Sequence, residues 1–134
     1  MRRTFTAIVV CAAGLLLGAS AAQAHHAFSS EFDAARPIEL RGVVTKMEWI
    51  NPHSWITIDV TNEDGSVQTW EIEAGAPNAM FRRGFTRDSL PVGTEIVVRG
   101  YQARDGGPRA NGRDLTLPDG QRLFLGGSAP DQPR

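Results

Sequence analysis

From Pro37 onward the chain alternates short apolar, β-branched runs with clusters of turn residues, a rhythm that suits a small all-β barrel or sandwich. The first run, residues 38–50, keeps one phase through Ile38 and Leu40 and the other through Val43, Met47 and Trp49. Gly42 stands at the change, and a glycine bulge there would re-aim the strand. The second run, 55–61, places Ile56, Ile58 and Val60 on one face and Trp55, Thr57 and Asp59 on the other. Asn62-Glu63-Asp64-Gly65 turns into a third run, 67–74, with Trp70, Ile72 and Ala74 facing inward. Residues 75–84 break the pattern. Pro77 suits a first helical position, Met80 and Phe81 supply an apolar face and Gly84 suits the stop, so a short helix is expected. A fourth run, 94–103, buries Ile96 and Val98, and a final hairpin pairs Leu115 and Leu117 with Leu123 and Leu125 across Pro118-Asp119-Gly120. Three strands, a helix and then further strands, with a long bulged first strand, is the order of an OB-like, partly open β-barrel of five to six strands.

Ahead of this domain, Arg2 and Arg3 precede an apolar run over 7–17 and small residues ending in Ala22-Gln23-Ala24, the layout of a cleavable signal peptide over 1–24. The truly apolar part is short for a membrane span. Arg2-Arg3 partly resembles a twin-arginine signal, without a Ser or Thr before the pair, so the export route stays open. Cleavage after Ala24 would deliver the chain to the periplasm as an N-terminal arm (25–36), a barrel domain (37–125) and a disordered Gly, Ser and Pro tail (126–134).

Loss of Arg2 and Arg3 would leave 12 basic residues against 15 acidic ones, a formal charge of −3. With no basic domain, stripe or amphipathic helix, neither nucleic acid nor, after cleavage, a membrane surface is expected as partner. Cys11 lies within the apolar run and would leave with the signal, taking thiol and disulfide chemistry with it.

Cleavage would also turn a processing site into chemistry. His25 and His26 would become the first residues, and His25 would offer a free α-amine and an imidazole nitrogen as a chelate. An α-amine titrates near about 7.7, so it deprotonates close to neutral pH. Nitrogen donors of this kind favour Cu(II), with Ni(II) and Zn(II) behind it. The arrangement resembles a histidine brace in its N-terminal histidine only. His53, within Trp49-Ile50-Asn51-Pro52-His53-Ser54-Trp55, is the candidate second ligand, held in a turn that Pro52 stiffens. Phe28 and Phe32 are placed to dock the arm on the barrel, and Glu31 or Asp33 to add an oxygen ligand or orient an imidazole.

No catalytic constellation stands out. His53 and Ser54 are neighbours whose side chains would point to opposite faces, a poor base and nucleophile pair. Asp59, Glu71 and Glu73 read as the solvated face of their strands. Trp49, Trp55, Trp70 and Tyr101 are the candidate aromatic platform, and Arg82, Arg83 and Arg87 a basic patch for an anion or a partner carboxylate. Two readings follow. One is a non-catalytic periplasmic domain that binds a transition metal, copper first, through His25 with His26 or His53. The other is a metal-free module for a periplasmic protein or small solute, using an aromatic face with Trp49, Asn51, Trp55, Arg82 and Arg83. Neither fixes an oligomeric state.

His25-His26-Ala27-Phe28, Asn51-Pro52-His53 with its following Trp, Pro77-Asn78-Ala79, Arg82-Arg83-Gly84 and Leu117-Pro118-Asp119-Gly120 together resemble a family of short exported proteobacterial proteins, over about residues 25–124. The resemblance implies export and a single β domain. It implies no activity and no catalytic residue.

Overall fold

The structure is a computed structural model that describes residues 28–126. The expected signal peptide, His25 and His26, and the tail beyond Gly126 lie outside the described residues. A helical turn over 28–31 leads into β1 (Phe32–Glu48), followed by β2 (Trp55–Thr61), β3 (Val67–Glu73), helix α1 (Pro77–Arg82), β4 (Glu95–Ala103), β5 (Arg109–Thr116) and β6 (Arg122–Phe124).

The strands form one six-stranded sheet in the order β3-β2-β1-β4-β5-β6. A further pairing between β3 and β5 closes five of the strands into a ring. That closing pair is parallel, with Glu71, Ile72 and Glu73 opposite Arg109, Ala110 and Asn111, while the other pairs are antiparallel. The barrel-like, mostly β architecture with a helix between β3 and β4 is the one the sequence order leads to.

The core holds Val44, Ile56, Ile58, Trp70, Ile72, Ile96, Val98 and Leu115, with Met80 of α1 buried in the same cluster. The inward residues expected in β2 (Ile56, Ile58), β3 (Trp70, Ile72) and β4 (Ile96, Val98) are therefore buried as expected.

The first strand departs from expectation. It begins at Phe32, inside the expected arm, and its phase changes between Val44 and Lys46 rather than at Gly42. Val44 is fully buried and Val43 turns outward. Gly42 serves close approach instead, because an added Cβ would sit 2.8 Å from the Asp59 carbonyl oxygen.

The arm packs as a second, smaller core. Phe28 lies 5.9 Å from Phe32 and 5.8 Å edge-on to Tyr101, and Ala103 completes the cluster. Phe28 and Phe32 thus dock the arm on the barrel as expected.

Candidate functional site

Three segments converge where β3 and β5 close the ring. The loop after β1 contributes His53, β3 contributes Glu71 and Glu73, and β5 contributes Arg109 and Asn111. In OB-like barrels the loops between strands 1 and 2 and between strands 4 and 5 flank the usual binding face. Here those loops are 49–54 and 104–108.

The first loop is tightly pinned. Asn51-Pro52 is a cis peptide. Ser54 is fully buried, its N–H donating to the Gly75 carbonyl at 3.0 Å and its carbonyl accepting from Ala74 N–H at 2.8 Å. Its Oγ has no hydrogen-bond partner among the described residues. His53, half-buried beside it, directs Nδ1 to Glu73 Oε1 at 3.0 Å. Asn111 Nδ2 donates to the same oxygen at 3.2 Å. Glu73 is only 2% exposed, so a side chain expected on a solvated strand face is instead the buried hinge of the site. The other two carboxylates of that expectation fit it better, Glu71 being exposed and Asp59 partly so.

Burial is the main influence on Glu73 and raises its pKa above the ordinary carboxylate value. The His53 charge opposes this, the Glu31 charge adds to it, and the Asn111 hydrogen bond and Arg109 pull it down again. Glu31 therefore lies close enough to act on Glu73. It is held there by Arg109, whose Nη2 is 3.5 Å from Glu31 Oε1 and whose Nε is 3.9 Å from Glu71 Oε2. Arg104 fastens the same segment: its N–H donates to the Glu31 carbonyl at 2.9 Å and its Nε to the Ser29 carbonyl at 2.7 Å. The start of the described chain is thus anchored beside the His53 end of the barrel.

The aromatic platform is not a single surface. Trp70 and Tyr101 are buried. Trp55 lies under the Arg109 guanidinium, 5.5 Å from its ring centroid, at the seam. Trp49 stacks on Phe81 instead, with centroids 4.8 Å apart. Asn51 is exposed in the loop, and Arg82 and Arg83 sit exposed at the end of α1, Arg82 next to Phe81 in the chain and Arg83 with its guanidinium against the Gly126 backbone. The structure therefore splits the candidates between the His53 seam and the Trp49–Phe81 face.

Sequence reasoning missed Glu73 as the partner of His53, Asn111 as the donor to Glu73, and Arg109 as the cation at the seam. Among the described residues no group of three or more His, Cys, Asp and Glu side chains is disposed to hold a metal ion. No helix among them is long and apolar enough to cross a membrane.

The arrangement defines a small barrel-like β domain whose polar site sits at its ring closure. The chain belongs to the family of unknown function DUF6152, whose model matches residues 12–112. No curated protein and no solved structure matches it.

Proposed function

We propose that this is an exported periplasmic domain that binds one transition-metal ion, copper by ligand preference, through the amine and ring of His25 with His53. His26 is the alternative partner to His53. The observation that carries the reading is the His53–Glu73 contact. A metal-ligating histidine characteristically donates its other ring N–H to a carboxylate, which fixes the tautomer and aims the free nitrogen. Here Nδ1 faces a buried carboxylate at 3.0 Å, leaving Nε2 for a ligand.

The anchored arm supports the same reading. Glu31 is held by Arg109 and Arg104 at the seam, and His25 precedes Phe28 by three residues. Three residues span at most about 10 Å, which bounds how far the donors of a mature terminus can stand from Phe28. A borderline cation such as Cu(II), which favours nitrogen donors, suits an amine and two imidazoles better than a hard, oxygen-seeking one.

The test is a Cu(II) titration of protein with a true His25 terminus, followed by electron paramagnetic resonance. One equivalent should bind with nitrogen hyperfine structure. A copy bearing one extra N-terminal residue, and the His53→Ala variant, should each bind at least about tenfold more weakly. Equal, weak binding by all three proteins would overturn the reading.

A further inference from the structure

Away from the seam, the chain leaves unmatched positive charge beside an exposed aromatic stack. Trp49 and Phe81 lie nearly parallel, 24° apart, and Trp49 also meets the buried Phe85 edge-on at 6.4 Å. Met80 takes the inward side of α1, so Phe81 is left 39% exposed, and Ile50 beside Trp49 in the chain is 50% exposed. The Arg87 guanidinium stands 6.0 Å from the Phe81 ring centroid. Arg82 and Arg83 follow Phe81 directly.

Elsewhere the basic residues are largely spoken for. Arg41 pairs with Glu95, Lys46 with Glu48, Arg99 with Glu39, and Arg122 with Asp114. Arg82, Arg83 and Arg87 have no carboxylate within 4.0 Å among the described residues. The whole chain nonetheless carries 15 acidic residues against 14 basic ones. Arg83 lays its guanidinium against the Gly126 backbone, which leaves Arg87 on the Phe81 ring and Arg82 next to Phe81 in the chain as the unpaired cations nearest this apolar face, complementary to an acidic and partly apolar surface.

We infer that the Trp49–Phe81 face with Ile50, Arg82 and Arg87 docks an acidic polypeptide segment that carries aromatic or aliphatic side chains. Guanidinium groups take carboxylates in bidentate pairs, and aromatic and arginine side chains are the groups most often decisive at protein interfaces. Positive charge at this face raises the encounter rate of an acidic partner. The inference stands without any metal, although loop 49–54 carries both Ile50 and His53.

The experiment uses metal-free protein and a fluorescently labelled random copolymer of glutamate and tyrosine, read by anisotropy at low ionic strength. Saturable binding is expected. The R82Q/R87Q double variant should weaken it at least about tenfold, and I50S, at a site exposed enough to spare the fold, about threefold or more. Arg36, an exposed β1 residue also lacking a carboxylate partner among the described residues, supplies the charge control, and R36Q should stay within about twofold. No saturable binding, or equal losses per charge for R36Q and R82Q/R87Q, would overturn the proposal. So would equal affinity for polyglutamate, preferential binding of anionic vesicles or an oligonucleotide, or burial of the face by self-association.

Discussion

Arg122 holds both carboxylate oxygens of the fully buried Asp114, Nε donating to Oδ1 at 2.8 Å and Nη2 to Oδ2 at 2.9 Å. Arg113 Nε donates to Oδ2 at 2.9 Å, and Arg99 Nη1 stands 3.9 Å from Oδ1. One acid thereby ties β6 and β4 to β5. Burial pushes the Asp114 carboxyl up, but the hydrogen bonds and charges of Arg122 and Arg113 outweigh it and hold the pKa below the ordinary aspartate value.

Asp114→Asn is expected to cost about 2–3 kcal/mol at neutral pH, the scale of lost hydrogen bonds to a charged group. A larger loss is not expected, because the guanidinium groups left behind are 41–49% exposed and water can solvate them. The sign of the pH dependence is fixed by the lowered pKa. The ionised acid stabilises the fold above the unfolded value of about 3.9, and this contribution disappears as pH falls through the folded value. Urea denaturation of both proteins should show a constant gap near neutrality that closes only in strong acid.

Gly100→Ala is expected to disturb the site through the sheet. The glycine lies at the register shift in β4, and an added Cβ would fall on the Asn111 carbonyl oxygen, a backbone atom that cannot swing aside. Forced displacement of this kind costs about 1–3 kcal/mol or more. Because Asn111 also holds Glu73, nuclear magnetic resonance should report a changed His53 ring environment in the variant. An unchanged His53 signal in a destabilised protein would separate sheet and site.

These relationships show which parts of the molecule its sequence announces. Apolar alternation in β2 and β3 reflects direct contact with the core, so Ile56, Ile58, Trp70 and Ile72 could be placed from period alone. The bulge in β1 could not, since Val43 and Val44 are equally apolar and only the approach of Asp59 reveals why Gly42 faces inward. The first six residues of β5, Arg-Ala-Asn-Gly-Arg-Asp, have no hydrophobic period. They form a strand because the parallel pairing with β3 and the antiparallel pairing with β4 supply their hydrogen bonds. Glu73 and Asn111 are partners across that seam, a relation that exists only after the ring closes. His53 was legible as a residue in a stiff turn, and its carboxylate partner was not.

Glu73→Ala should weaken Cu(II) binding by about 10–100-fold while leaving the stoichiometry of one, as expected when an orienting carboxylate behind a ligand is removed. Glu73→Gln keeps an oxygen for His53 Nδ1–H and should fall between the two. The measurement is competition against a chelator of known affinity, with thermal unfolding of the metal-free variants as the control for folding. Binding unaffected by either change would mean that His53 is not aimed by Glu73.

Phe28→Ala tests the arm as a separate unit. Removing a buried phenylalanine from a single cooperative core costs about 3–5 kcal/mol. Phe28, however, packs among the described residues in the small cluster with Phe32, Tyr101 and Ala103, separate from the main core. Opening of that cluster therefore needs only the arm to lift, and local opening costs less than global unfolding. The variant should lose little in global urea stability. It should instead speed amide exchange at Arg104, whose N–H is bonded to the Glu31 carbonyl at 2.9 Å, while amides in β2 and β3 remain protected. If the arm also presents the metal donors, Cu(II) affinity should fall in the same variant. A global loss matching the full core cost, with no selective change at Arg104, would instead place the arm within the barrel's own cooperative unit.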